Sequence, residues 1–279
     1  MDRSLEQATM RRVAWRLVPF ICLLYFIAFI DRVNIGFAAL TMNKDLSFSS
    51  SVFGFGAGVF FFGYFLFEVP SNIMLEKVGA RIWIARVMIT WGMISGGFAF
   101  ITGETSFYVM RFLLGAAEAG FFPGIILYLS YWFPVRYRAG VVSLFMAAAP
   151  VSVMLGSPLS SALLTMEGLL GLHGWQWMFI IEAIPAVVLG VVVLFYMTDR
   201  PEKAKWLTAD QRAWLVAEMN AESSLEQTAA KHSLISGLAD PRVLALALVY
   251  FGTSAGLYTL GIWAPQIIKG FGLSTMEVG

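Results

Sequence analysis

Seven stretches of this chain run for about twenty residues or more with hardly a charge among them: 15–40, 53–75, 82–102, 107–133, 139–164, 175–197 and 243–268. A helix rises about 1.5 Å per residue, so each can cross a hydrocarbon layer of about 30 Å. Apolar runs of this length predict membrane helices. The joints between them are short, with one exception, 198–242. There Thr208-Ala-Asp-Gln211 has the spacing of a helix capping box, and the following RAWLVAEMNAE suits a short surface helix. The seventh run ends in WAPQIIKGFGLS, after which another helix could begin near Gly279. The pattern predicts an all-α integral membrane chain: a six-span lobe over 1–197, a cytoplasmic interlobe segment over 198–242, and the first span of a truncated second lobe over 243–279.

Composition agrees. The chain is 58% hydrophobic and 13% charged, where soluble domains run near a half and a quarter. A net charge of +1 gives no electrostatic basis for binding nucleic acid. The single cysteine, Cys22, can form no internal disulfide. Arg3, Arg11 and Arg12 precede an apolar run too long for the core of a signal peptide, so the first span is read as uncleaved. The N-terminus, the joints after spans 2 and 4, and segment 198–242 together hold 15 of the 19 Lys and Arg, Lys231 among them; the opposite side holds Lys44 and Lys269. The positive-inside rule then predicts a multi-pass protein with its N-terminus and long segment in the cytoplasm.

The remaining two basic residues, Arg32 and Arg111, lie inside spans, as do Asp31, Glu68, Glu118 and Glu182. A charge at mid-bilayer costs about 2.5–3.5 kcal/mol on insertion scales and so marks function. At about 1.5 Å per residue Asp31 stands roughly 22 Å from Arg16. Arg111, one turn into the oppositely directed span 4, reaches nearly the same height. Glu118, seven residues on, returns to the face of Arg111. Spans 1 and 4 therefore offer an Asp31–Arg32 pair and an Arg111–Glu118 pair to one polar cavity, with Asn34 placed to orient Asp31. The alternative is an ion cluster that only pins helices together. Glu68, beside an EVPSN expected to break span 2, and Glu182 are read as interfacial or helix-packing groups. GFGAG at 54–58 and the small residues Gly115 and Ala119 are read as packing faces. His173 has no partner at metal-ligand spacing and is read as a surface residue. No catalytic or metal-binding constellation stands out, so no enzyme activity, metal or cofactor is expected.

NIMLEKVGAR, Asn72 to Arg81, resembles the signature of the major facilitator superfamily, with Glu76, Lys77 and Gly79 in its acidic, basic and glycine positions; Asn72 stands where the signature has glycine. FIDRVNIGFA, RFLLGAAEAGFFPG, YLSYWFPVRYRA, GWQWMFIIEAIPAVVLG and YMTDRPEKAKWLT together look like that superfamily's anion:cation symporter family, whose bacterial permeases take tartrate, sugar acids or aromatic acids. The resemblance implies the N-terminal portion of a twelve-span, two-lobed carrier in a cell inner membrane that moves a small organic anion with protons. Asp31 and Glu118 match its proton-coupling carboxylates. Arg32, Arg111 and Tyr64 match positions around the anion, and Tyr258 and Trp263 match aromatic positions of span 7. Arginine's fork suits a carboxylate, so Arg32 or Arg111 is expected to hold the substrate, with Asn34 nearby. Glu76, Lys77 and Arg81 are expected to meet Arg136 and Arg138 across the cytoplasmic side and latch one state, and Pro265 offers a bending point. The rival readings are a proton-driven exporter of the same superfamily and a non-transporting half-protein. A second lobe outside this sequence is expected to be needed for transport.

Overall fold

The structure is a computed structural model that describes residues 3–229 and 240–279. Lys231 and the middle of segment 198–242 lie outside the described residues. Among these residues the chain is helical, and seven helices are long and apolar enough to cross a membrane.

Helix α1 (Arg3–Asp45) has 43 residues, or about 65 Å at 1.5 Å per residue, twice the apolar thickness of a bilayer. Its first turns therefore stand outside the membrane, and span 1 is the part beyond Arg16. Helix α2 (Ser50–Val78) is opened by Ser49, whose hydroxyl accepts from the backbone N–H of Val52 at 3.2 Å. It continues through Pro70 to Val78, so EVPSN does not break span 2. Helix α3 (Ala80–Gly97) follows at once across Gly79, whose φ of +100° is a conformation L side chains rarely adopt.

Span 4 departs from the expected continuous helix. Helix α4 (Glu104–Glu118) stops at Ala119 and Gly120, and α5 (Phe121–Trp132) begins after them. Gly120 has φ +84°, and a Cβ there would stand 2.3 Å from Ser71 Oγ. Both the turn and the close approach require glycine. Span 5, α6 (Val135–Met146) and α7 (Ala148–Leu164), has no such break: Ala147 between them keeps right-handed helical φ/ψ and donates its N–H to the Ser143 carbonyl at 3.1 Å. Helix α8 (Gly174–Tyr196) is span 6, and α10 (Pro241–Lys269) is span 7. Between them lies α9 (Ala209–Ala229), entered through the expected capping box: Gln211 N–H donates to Thr208 Oγ1, and Thr208 N–H to Gln211 Oε1, each at 3.3 Å.

Pairs of spans lie side by side: α3 on α8, α2 on α4, and α1 on α7, α8 and α10. In the α2–α4 seam, a Cβ on Gly115 would come within 2.0 Å of the Phe60 carbonyl oxygen, the close backbone contact that small residues permit between membrane helices. Helix α1 is the hub. Every residue from Ala28 to Ala39 is buried, so at this level it is enclosed on all faces rather than on one stripe.

Candidate functional site

Because α1 is enclosed all round, successive residues enter different environments: neighbours on a helix point about 100° apart. Arg32 turns toward α4 and α10. Its Nε and Nη2 donate to Glu118 Oε2 at 3.1 and 2.6 Å, and its Nη1 donates to Tyr258 Oη at 2.9 Å. The guanidinium also faces the ring of Tyr64, 5.3 Å from its centroid. Both charges are buried, with side-chain exposures of 7% and 1%. Removing one partner of such a pair leaves the other uncompensated, a cost of about 3–5 kcal/mol. Glu118 Oε1 has no hydrogen-bond partner among the described residues. The break after Glu118 sets this carboxylate in the last turn of α4 rather than in the middle of a continuous span.

Arg32 forms part of the wall of a cleft of ≈ 420 Å³, lined also by Tyr25, Phe60, Tyr64, Glu68, Tyr250 and Tyr258. That size suits a small organic molecule. Phenols, one arginine and one carboxylate are the polar groups of its wall, with Ser254. Glu68, expected at an interface, borders this cleft, one helical turn beyond Tyr64 on α2.

Asp31 faces the other way. It accepts from the hydroxyl of Ser95 on α3 and from Asn34 Nδ2 at 3.2 Å. The same Asn34 amide donates to Glu182 Oε2 on α8 at 3.0 Å, and Ser160 on α7 donates to Glu182 Oε1 at 2.6 Å. Asp31 and Arg32 thus do not form the expected pair; Asp31 belongs to a buried polar network joining four spans, with its Oδ2 unpartnered. Asn34 sits in this network and not on the cleft. Glu182 is buried in it and joins α8 to α1 and α7, in keeping with a helix-packing role.

Arg111 is 3% exposed and is absent from the cleft wall. Its Nε donates to the carbonyl of Gly56 at 3.2 Å and its Nη2 to that of Ala57 at 3.4 Å, and its guanidinium lies 4.7 Å from the Phe60 ring. The expected Arg111–Glu118 pairing gives way to Arg32–Glu118, because the backbone of α2 stands beside Arg111 and takes its donors. Tyr258 and Tyr64 are brought to Arg32. Trp263 is not on that cleft: it packs edge-on against Phe53, 5.4 Å between centroids, in a neighbouring groove between α2 and α10.

The expected latch is arranged differently. Glu76 and Lys77 are exposed. Arg81 N–H donates to Asp199 Oδ1 at 2.9 Å, and its Nη1 to the Leu194 carbonyl at 3.3 Å, tying the joint after span 2 to the end of span 6. Arg136 binds Glu6 and Glu218, and Arg138 binds Glu222 at 3.3 Å, tying the joint after span 4 to α1 and α9. Asp199, which carries the first of these ties, gave no signal in the sequence beyond its place in YMTDRPEK. Ser95 and Ser160 gave none, since serine is ordinary in membrane helices.

His173 does have partners on the face opposite the N-terminus: Nδ1 lies 2.7 Å from Glu167 Oε1 and 3.4 Å from Asp45 Oδ2. Among the described residues no group of three or more His, Cys, Asp or Glu side chains could hold a metal ion.

Membrane-length helices, one of them discontinuous, around a cleft that brings arginine and phenols together have the architecture of a secondary transporter. The chain belongs to the Major Facilitator Superfamily, whose profile matches residues 21–279. It is 72% identical over its whole length to a protein of Agrobacterium vitis named "Putative tartrate transporter", of which it covers 64%. It is 44% identical, over 96% of its length, to a quinolone resistance transporter of Acinetobacter baumannii, of which it covers 62%. The chain thus spans about three fifths of the length of these curated relatives. A bacterial homologue of the human lysosomal transporter Spinster has the same fold, with TM-score 0.72 and 18% identity, covering 94% of this chain and 56% of that one. The chain is a multi-pass membrane protein of a transporter superfamily, and its fold is the six-helix lobe of that superfamily followed by one further span.

Proposed function

We propose that this chain is the N-terminal part of a carrier that moves an organic carboxylate, such as tartrate, a sugar acid or an aromatic acid, together with protons. The observation that carries this reading is the Arg32–Glu118 pair at the cleft. Arg32 is held by a carboxylate that an incoming substrate carboxylate can replace. Displacing Glu118 leaves it buried without its cation, a state that favours taking up a proton over staying charged. Anion binding and proton binding are thereby coupled, and by linkage each promotes the other. Tyr258 accepts from Arg32 and keeps its own phenolic proton for the anion, with Tyr64 on the other side of the guanidinium. Asp31 acts as a second proton-coupling carboxylate within the Asn34–Glu182 network. Arg111 positions Phe60, and through it the wall on which Arg32 lies, rather than touching substrate.

In this reading residues 1–197 form one lobe, 198–242 connect it to the next, and 243–279 open a second lobe that closes the cleft. The basic residues at the span ends on the N-terminal side support a cytoplasmic N-terminus. The ties of Arg81 to Asp199, and of Arg136 and Arg138 to α1 and α9, brace the cytoplasmic ends, with Glu76, Lys77 and Gly79 available to the second lobe.

The test is proton movement in proteoliposomes, using the chain alone and joined to the C-terminal half of the Agrobacterium relative, with tartrate, sugar acids and aromatic acids in turn. Acidification of the lumen on adding one of these anions to the fused protein, abolished in Glu118→Gln while anion exchange survives in part, supports symport. Anion uptake with no accompanying proton overturns the coupling, and uptake of none of these acids overturns the substrate class.

A further inference from the structure

Two groups of arginines stand at the N-terminal face of the bundle, and they are treated in opposite ways. Arg136 is matched by Glu6 at 2.7 Å and Glu218 at 2.6 Å, and Arg138 by Glu222 at 3.3 Å. Arg11, Arg12 and Arg16 on α1 have no carboxylate within ion-pair distance among the described residues. Arg12 reaches only the amide oxygen of Gln211, at 3.4 Å. Arg16 is held by aromatic faces, 4.5 Å from the centroid of Tyr196 and 5.3 Å from that of Trp206, and its Nε is buried without a partner. The three arginines line one cleft together with Trp15, Tyr196 and Trp206. Three positive charges gathered in one concavity, with no carboxylate within ion-pair distance among the described residues, call for an anion.

The helix says which anion. Spaced by three and four residues, Arg12, Trp15, Pro19, Leu23 and Phe26 fall on one face of α1. Trp15 is 72% exposed and Leu23 is 44% exposed. Above the basic cleft this face becomes the wall of an apolar groove shared with α6 and α7, containing Pro19, Leu23, Phe26 and Leu144. From Arg12 to Phe26 the helix rises about 21 Å at 1.5 Å per residue, close to one leaflet including its headgroup layer, about half of 40–45 Å. Arginine's fork matches phosphate, and tryptophan favours the membrane interface.

We propose that α1 carries a site for an anionic phospholipid, with its phosphate in the Arg11–Arg12–Arg16 cleft and an acyl chain along the groove above. The inference rests on charge balance and helix geometry and is independent of what the carrier transports. Occupancy would tie α1 to the end of span 6 and to segment 198–242, through Tyr196, Trp206 and Gln211.

The purified chain in detergent, supplied with equal amounts of phosphatidylglycerol and phosphatidylcholine, is analysed by native mass spectrometry. Selective retention of phosphatidylglycerol is expected, falling at least fivefold in the Arg11→Gln/Arg12→Gln double variant and unchanged in Arg136→Gln. The altered positions are exposed, and an unchanged elution volume and helical circular dichroism establish that the variants fold. Equal retention of the two lipids, or selectivity that survives the double variant, overturns the proposal. So does complete displacement of the lipid by millimolar inorganic phosphate, which would mark a site for a soluble anion.

Discussion

Arg32 and Arg111 look alike in the sequence, each a cation in an apolar run and at a similar depth, yet their surroundings differ. Both guanidiniums lie near the Phe60 ring, at 6.0 and 4.7 Å from its centroid. On one side Arg32 meets groups that can exchange partners, a carboxylate and a phenol. On the other, Arg111 meets two backbone carbonyls of α2, which cannot leave. A buried cation bonded to backbone fixes a helix, whereas one bonded to a carboxylate at a cleft can release it to a ligand. The pair teaches that a charge in a membrane span marks a site only once its partners are known.

The sharpest way to break this comparison is Arg32→Gln in the fused carrier. In the proposed reading it strands Glu118 and removes the cation that holds the anion, so transport should fall by more than about 100-fold, about 2.8 kcal/mol. Arg32→Lys should fail nearly as badly, since it loses the fork. Activity within a few-fold of wild type would place the anion elsewhere. Arg111→Gln should act on stability instead: two charge-assisted bonds to carbonyls are lost, about 1.5–3 kcal/mol each at most. A lower thermal midpoint in detergent with an apparent KM changed by less than about threefold is expected. A KM effect as large as that of Arg32 would return Arg111 to the substrate.

Tyr258→Phe removes one partner of Arg32 and leaves the ring, so the KM for the anion should rise about tenfold, for roughly 1.4 kcal/mol. An unchanged KM would show that the phenol only packs. The smallest effect belongs to a charge outside the membrane. Glu167 is held below its ordinary value of 4.5, first by the N–H of Gly174 and then by His173. A lowered carboxyl contributes stability that is present above the unfolded value and lost as pH falls through the folded one. Its side chain is 54% exposed, so Glu167→Gln should cost under about 1 kcal/mol near neutrality. That difference should shrink in thermal melts as pH falls below the ordinary carboxyl value of 4.5 and on through the lowered folded one.

The seven spans, their order and the capping box that opens α9 were legible in the sequence, because apolar length and local spacing decide them whatever surrounds the helix. That Arg32 and Glu118 would be polar groups turned into the bundle was legible as well, since a charge in lipid needs a partner, whereas Tyr258 was marked only by the family resemblance. Which partner each took was not legible. Depth placed Arg32, Asp31, Arg111 and Glu118 at overlapping levels, but azimuth and neighbouring backbone chose among them. With α1 enclosed on every face, Asp31 went to Ser95 and Asn34 while Arg32, one residue on, went to Glu118. At the break at Ala119–Gly120 that ends α4 at Glu118, Ser71 of another span comes so close that a Cβ on Gly120 would stand 2.3 Å from its Oγ. Glu68 lies on the cleft wall, a position set by how α2 packs among its neighbours and not by the EVPSN that follows it. Hydrophobic length is a property of one segment and can be read from it. The pairing of buried charges is a property of which segments touch, and only the packed bundle determines that.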